Sequence, residues 1–269
     1  MAIPRILHLI YFYDGESRPI PVDLSKKICL YKRRNPDWEI KIYAHEDMID
    51  FISRHYSPDI ISLFLKIRLG YGAAKADFFR YLLMAERGGV YLDSKFDFSL
   101  PLDDMIKDES YLLTHWDNRR GEAHEGWGLH RELSSIRGEY VQGIIVTKPQ
   151  SPILKQVLKN VIFNILHYSL IKDGVGQMAV LKVTGPIAYS LAVERSLHTE
   201  KIRKYDSICE IGLSYPKGFD IIERQRISLF GYNYKASWKP LLTVGPILDP
   251  FYIIFAFFLR VWRRYSNKF

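Results

Sequence analysis

Residues 73–97 read AAKADFFRYLLMAERGGVYLDSKFD, and this stretch sets the reading of the whole chain. Apolar residues at Ala74, Phe78, Tyr81, Leu82 and Ala85 recur at three- and four-residue steps, which predicts a helix with one face on a core. Asp77 and Arg80 stand three apart, on one side of that helix. Gly88-Gly89 ends it, since glycine takes the left-handed conformation at a helix C-terminus at little cost. Val90, Tyr91 and Leu92 then favour a strand, and Asp93 sits where the strand runs out. Helix, turn and strand thus converge Asp77, Arg80 and Asp93 on one place, a candidate site. The competing reading of the Asp/Arg pair is a surface ion pair, worth little.

Outward from this stretch the chain reads as α/β. Residues 3–11 form a buried strand with Pro4 at its start, where a missing donor is tolerated. His8, on that apolar strand, reads as a hydrogen-bonded core histidine. Asp23 can cap a helix to Arg33, with Leu24, Ile28 and Tyr31 on its apolar side; Asn35-Pro36-Asp37 breaks it. Residues 38–43 alternate as a second strand, so strand, helix and strand predict a parallel sheet. Helices are read over 46–55 and 58–67, with Ser57 as the second one's cap and Pro58 in its first turn.

Beyond Asp93, strands are read over 110–114 and 143–146, and helices over 152–167 and 187–197. Residues 116–140 break every periodic pattern and are long for a structureless loop, hence functional or partly helical. Trp116 and Trp127 there offer aromatic faces that can stack on a bound ring, with the carboxylates Asp117, Glu122 and Glu125 within reach. The alternative is a solvated excursion with both tryptophans tucked against the body.

A chain of 269 residues, 48% apolar and 25% charged, suits one domain with a real core. Its two cysteines supply no disulfide framework and no metal-ligand spacing, which points to a reduced, cytoplasmic setting. No export signal is read. The net charge of +8 raises nucleic acid or an anionic membrane surface as partners; no nucleic-acid motif appears, and membrane is preferred. Residues 251–259 are uncharged, and Arg260, Arg263, Arg264 and Lys268 follow. That run is too short to span a bilayer. The expected organisation is a catalytic domain over 1–249 and an amphipathic, membrane-interface tail over 250–269, peripheral on the cytoplasmic face.

The stretch KADFFRYLLMAERGGVYLDSK resembles the signature of the retaining glycosyltransferases with a sugar-binding DXD region. That family includes fungal Golgi mannosyltransferases and bacterial capsule and lipopolysaccharide transferases. The resemblance implies a GT-A-like, Rossmann-type domain with a mainly parallel central sheet, binding a nucleotide sugar. It implies that Asp77 and Arg80 hold the donor sugar's hydroxyls, and that Asp93, the first DXD aspartate, meets the ribose and a metal. Tyr91 belongs to the same motif. The end of the first strand would cradle the nucleotide base, with Tyr11 where the family has tryptophan; Tyr11 also reads as a wall of the core. Thr184-Gly185-Pro186 resembles the family's TGP turn, which starts a helix lining the site. Residues 232–238, YNYKASW, resemble the family's H-H-x-x-x-S-W. There Ser237 and Trp238 would close over the donor phosphates, and Asn233 would help to hold the metal.

One departure carries chemical weight. The second DXD position is Lys95, an ammonium where a carboxylate is usual. Breaking a sugar–diphosphate bond leaves negative charge on the leaving group, which a site neutralises with a divalent cation or with fixed positive groups. Mn²⁺ or Mg²⁺ on Asp93 and Asn233 is one outcome; Lys95 serving as the cation is the other. The expected function is transfer of a sugar, with retention, to a glycan or lipid-linked acceptor in surface polysaccharide synthesis. The alternative is a catalytically inactive sugar- or nucleotide-sugar-binding protein of the same fold.

Overall fold

The computed structural model describes residues 2–11, 19–215 and 234–266, with no side chains described beyond Trp262 or at Ala236. Its frame is a six-stranded sheet. Strand β1 (Ile6–Ile10) pairs in parallel with β2 (Glu39–Tyr43) on one side and with β3 (Gly89–Leu92) on the other. Helix α1 (Val22–Arg34) links β1 to β2, as the strand–helix–strand order requires. Helices α2 (His45–His55), α3 (Pro58–Lys66) and α4 (Gly72–Arg87) then carry the chain back across β1 to β3. A short strand β4 (Asp97–Phe98) and helix α5 (Leu102–Met105) follow. Then β5 (Tyr111–Thr114), β6 (Ile144–Thr147) and β7 (Ile202–Tyr205), rich in β-branched and aromatic residues, extend the sheet in the order β2-β1-β3-β6-β5-β7. Strand β6 runs antiparallel to both β3 and β5 while the other three pairings are parallel, so the sheet is mixed and mainly parallel, in line with the mainly parallel sheet expected.

Apolar clusters cover both faces of the sheet. One is built on α4 with α6 (Pro152–Leu166), α7 (Gly176–Val183) and α8 (Pro186–Glu194); the other lies under α1 and includes Tyr31, Trp38, Phe96 and Phe98. Two local expectations change. Asp23 is not the cap of α1 but lies in its first turn, where its charge suits the helix dipole, and Pro21 holds the cap position. Helix α4 is not amphipathic: Ala74, Lys75, Asp77 and Arg80 are buried along with its apolar residues. A helix buried on all sides sits in the middle of a domain, and its polar residues must find partners there.

The glycine turn after α4 is tighter than a left-handed cap. Gly88 combines φ 62° with ψ −159°, a region essentially restricted to glycine. A Cβ on it would lie 2.5 Å from Pro149 N, and one on Gly89 would lie 2.6 Å from the Ile6 carbonyl oxygen. His8 pins the same turn from below. Its Nε2–H donates to the Gly88 carbonyl at 3.0 Å, which leaves Nδ1 to accept from the Tyr43 hydroxyl at 3.0 Å.

Burial lowers the His8 pKa to about 4. The folded state therefore binds fewer protons than the unfolded one between pH 6.5 and 4. Stability contributed by this ring is fully present above pH 6.5 and is lost as the pH falls through that window, by about 3 kcal/mol. Urea unfolding of His8→Gln should show a pH slope flatter than wild type by that amount between pH 7 and 4; parallel slopes would contradict the assignment.

Candidate active site

Strand order places the site. From β1 the chain first goes to β2 on one side and then returns to β3 on the other, so the order reverses between β1 and β3. In open α/β sheets ligands bind beyond the carboxyl ends of the strands at such a switch point. Tyr11 follows β1 and Asp93 follows β3 at that crevice. Tyr11 is half-buried and ties its backbone N–H to the Tyr43 carbonyl at 3.0 Å.

Asp93 is held by its neighbours on every side. Its N–H donates to the Gly143 carbonyl at 2.7 Å, continuing the β3–β6 ladder by one residue. Its carboxylate accepts from the Lys95 N–H at 3.2 Å, an Asx-type turn, and the Phe96 N–H closes onto the Asp93 carbonyl at 2.9 Å. The chain therefore turns sharply at Ser94. The other carboxylate oxygen lies 3.9 Å from Arg80 Nη2, and the Asp93 side chain is 30% exposed against 5% for Arg80. Asp93 is the carboxylate of this cluster that reaches solvent.

Behind it lies a buried relay. Arg80 Nη2 bonds Asp77 Oδ1 at 3.1 Å, with both side chains inside. Arg80 Nη1 donates to the Gln142 carbonyl at 3.0 Å, and its guanidinium stands over the Tyr91 ring, 4.7 Å from the centroid. Asp77 accepts from the Gln142 amide at 3.2 Å and from the Thr184 hydroxyl at 3.1 Å. This is not the surface ion pair weighed above. Each polar group has protein partners, so the relay is a fixed support for Asp93. Burial pushes the Asp77 carboxyl up to about 7, against the pull of Arg80 and Thr184 towards ionisation and with Asp93 adding to the rise. For Arg80 burial works against the charge, and the negative groups Asp77 and Asp93, with Tyr91, more than offset it. The guanidinium stays charged.

Gln142 and Thr184 escaped sequence reading as partners of Asp77. Thr184 carried the signal of its TGP turn: it caps α7 and Pro186 opens α8. Gln142 carried none. It reaches the site because β6 is antiparallel to β3, so the residues before β6 lie beside the residue after β3.

The loop that holds Lys95 rests on α1. Lys27 Nζ bonds the Ser94 carbonyl at 2.8 Å and Asp97 at 3.0 Å. The Tyr31 hydroxyl donates to the Phe96 carbonyl at 2.9 Å, and Arg34 bonds the Phe98 carbonyl. Lys27, Tyr31 and Arg34 are spaced to share one helix face, which forms a rail under residues 94–98. Phe96 stacks on Trp116 at 5.7 Å from the other side, and Gly143 makes room, since a Cβ there would meet the Phe96 ring at 2.2 Å.

Residues 116–140 form turns and a short 3-10 segment around an aromatic cluster. Trp116 is buried, its Nε1–H bonding Glu139 at 2.6 Å, while His130 bonds the other Glu139 oxygen at 2.7 Å. Trp127 packs edge-on against Trp116 at 5.2 Å and is 41% exposed. Of the two tryptophans, Trp127 has the open ring. Asp117 is half-buried and lies 3.9 Å from Cys209 Sγ.

The C-terminal motif forms a separate group. The carbonyl of Ser237 lies where a Cβ on Gly176 would come within 2.8 Å, and Trp238 packs against Phe257. Ser237 lines a cleft whose walls include none of Asp77, Arg80 and Asp93. Asn233 lies outside the described residues.

Part of the sequence and the fold are similar to known proteins. Residues 21–112 match the family described as "Glycosyltransferase sugar-binding region containing DXD motif". Over 95% of this chain and 86% of the other, the fold superposes on PaToxG glycosyltransferase with a TM-score of 0.52 at 13% identity. The UDP-bound glycosyltransferase domain from the YGT toxin follows at 0.50, with 11% identity over 85% of this chain and 86% of that one. Residues 21–112 are thus similar to a glycosyltransferase sugar-binding region, within a fold shared with glycosyltransferase domains. In sequence the chain is similar to an uncharacterised glycosyltransferase of Acanthamoeba polyphaga mimivirus, 24% identical over 59% of this chain and 55% of that one. It is also similar to an inositol phosphoceramide mannosyltransferase of Schizosaccharomyces pombe, 25% identical over 41% of this chain and 34% of that one. An initiation-specific alpha-1,6-mannosyltransferase of Candida albicans is 26% identical over 55% and 44%. The chain thus spans between a third and just over half of these relatives. The matched region contains Asp77, Arg80, Tyr91, Asp93 and Lys95, and stops before Trp116, Ser237 and Trp238.

DXD glycosyltransferases commonly work with a divalent cation. The described residues do not build a ready cage for one: no group of three His, Cys, Asp or Glu side chains converges among them. Asp93 offers one carboxylate with a guanidinium 3.9 Å away, and Asp97, the next acidic residue, is engaged by Lys27 and Tyr31.

Proposed function

We propose that this protein transfers a sugar from a nucleotide-sugar donor to a glycan or lipid-linked acceptor, with retention of configuration, in surface polysaccharide synthesis such as that of capsule or lipopolysaccharide. The observation that carries the reading is Asp93, partly exposed at the switch point and braced by the buried Arg80–Asp77 pair. In this reading Asp93 meets the donor's ribose, Tyr11 faces the base, and Arg80 and Asp77 set the donor-sugar pocket with Tyr91. Trp127 offers an open ring to the acceptor, with Trp116 and Asp117 behind it. Ser237, which lines a cleft apart from Asp93, and Trp238, packed on Phe257, are left out of the donor site.

Charge decides what the site still needs. Arg80 stays charged and Asp77 offsets it only as far as it is ionised, while Asp93 is the exposed negative charge of the cluster beside an incoming diphosphate. Lys95, two residues on and half-buried, supplies one fixed positive charge on the turn that Asp93 nucleates. Lys95 as electrostatic partner of the leaving group makes activity survive chelation better than in an enzyme with two DXD carboxylates. Lys95→Asp should then lower turnover in EDTA by at least tenfold and recover with added Mn²⁺. Equal and complete loss of wild-type activity in EDTA would assign the work to a metal and make Lys95 incidental.

Incubation with a panel of nucleotide sugars, followed by NMR of the product anomer, tests transfer and retention together. The same Lys95 favours the second reading, a sugar-binding protein that has lost catalysis. Affinity for one donor without hydrolysis or transfer, with and without Mn²⁺, would establish that reading instead.

The setting we propose is the cytoplasmic face of a membrane, with 1–249 as the catalytic domain and 250–269 as the membrane-contacting tail. Among the described residues no helix is long and apolar enough to cross a bilayer. The C-terminal helix, Asp249–Ser266, turns Phe251, Ile254, Phe255, Phe258 and Trp262 outward, as a helix lying in the interface would.

A further inference from the structure

The C-terminal helix does not trail from the body; it is clamped to it. Arg68 forms a two-pronged ion pair with Asp249 at 2.7 and 2.8 Å and bonds the carbonyls of Pro240 and Leu242. Ala256 is buried, and Tyr252 and Leu259 are half-buried, so one stripe of the helix packs inward. The opposite stripe is aromatic and open: Phe251 is 69% exposed and Trp262 63%. On the body, Ile171, next in sequence to the cleft residues Leu170 and Lys172, is 66% exposed.

Beside the packed stripe lies a cleft of about 320 Å³ between the 170–175 turn, α7, Lys235–Ser237 and the helix. Four cationic side chains line it, Lys172, Lys182, Lys235 and Arg260, against one carboxylate, Asp173. They come from four different segments. Lys182 is shared with Glu132 at 2.9 Å, and Asp173 accepts the Ser169 N–H at 2.9 Å. The start of α7 is occupied within the protein, its Gly176 N–H donating to the Tyr71 hydroxyl at 2.8 Å, so the charge of the cleft comes from its side chains.

A small, strongly positive recess next to a rigid apolar surface has the charge pattern of a phospholipid: an anionic headgroup joined to hydrocarbon. We propose that this cleft seats the headgroup phosphate of an anionic phospholipid, while the outward stripe of the C-terminal helix and Ile171 lie among the acyl chains. The inference rests on the membrane setting proposed above and deepens it, because it assigns recognition to residues of the domain as well as the tail. The phosphate chemistry would equally suit free phosphate or a nucleoside diphosphate, and the experiment separates these.

The full chain is sedimented with vesicles of phosphatidylcholine alone and of phosphatidylcholine with one fifth phosphatidylglycerol. Wild type is expected to bind the anionic vesicles only. Lys235→Gln with Arg260→Gln should weaken that binding about 30-fold, the worth of two headgroup-facing charges. Lys155→Gln with Lys159→Gln, which removes two exposed charges from α6, should weaken it by less than about threefold. Equal loss in the two double variants would reduce the effect to diffuse charge and overturn the proposal. Absence of binding by wild type would overturn it too. Displacement from vesicles by millimolar inorganic phosphate would assign the cleft to free phosphate, and displacement by micromolar nucleoside diphosphate to the donor; either result contradicts a lipid site. Donor hydrolysis in solution is read alongside and should be unchanged in both double variants. Failure of hydrolysis in wild type would count against the transferase reading alone, since vesicle binding is measured without donor.

Discussion

Asp93→Asn should reduce sugar transfer by two to three orders of magnitude while leaving stability within about 0.5 kcal/mol of wild type. The two halves of that expectation have separate grounds. Asparagine is isosteric and keeps an oxygen for the Lys95 N–H, and the bonds from the Asp93 backbone to Gly143 and Phe96 do not involve the side chain. The fold thus loses nothing it depends on. The donor loses the charged acceptor at the switch point, which no other exposed carboxylate of the cluster replaces. Activity assays and urea unfolding on the same preparation check both halves, and near-normal turnover would remove the site assignment.

Arg80→Ala should behave differently, costing about 3–5 kcal/mol of stability as well as activity. It leaves Asp77 buried without its counter-charge, opens the contact with Tyr91, and frees the Gln142 carbonyl from its donor. The pH dependence distinguishes this from simple loss of packing. With the Asp77 pKa already pushed up to about 7, removal of Arg80 raises it further. A raised carboxyl binds more protons in the folded state than in the unfolded one, so wild type loses stability from near pH 4 to 7, and the variant goes on losing it above pH 7. The variant should be closest to wild type at pH 5 and furthest from it at pH 8. A deficit independent of pH would mean that Asp77 does not need its partner.

The elements that place the site were largely legible, because their signals are local. Apolar spacing marked α4, Gly88-Gly89 marked its end, and the strand–helix–strand order around α1 fixed β1 beside β2. What escaped was set at long range. Gln142 and Thr184 meet Asp77 from 65 and 107 residues away, through the antiparallel entry of β6 and the turn between α7 and α8. No local pattern encodes either contact. Helix α4 reads as one-faced from its apolar spacing; the structure also buries its charged residues Lys75, Asp77 and Arg80, and Lys75 finds the Phe64 carbonyl at 3.2 Å. Polarity in the sequence reports what a residue needs, and inside a domain that need can be met by protein instead of water.

The role of α1 was partly visible. Leu24 and Tyr31 are buried as their spacing indicated. Yet Tyr31 also bonds the loop after Asp93, and Lys27 and Arg34 on the same face do likewise. A lysine and an arginine on a surface helix usually read as solvated charges. Here they meet backbone carbonyls of a loop brought over them by the return of β3 to the side of β1. Trp116 shows the reverse case, since an aromatic side chain that suits a sugar is buried with its indole N–H on Glu139, and Trp127 keeps the open ring.

A crystal structure with a nucleoside diphosphate bound tests the site most directly. The ribose hydroxyls should lie on the Asp93 carboxylate, the base at Tyr11, and the diphosphate over the turn that carries Lys95. A nucleotide seated instead in the basic cleft of Lys235 and Arg260, with Asp93 bare, would contradict that placement.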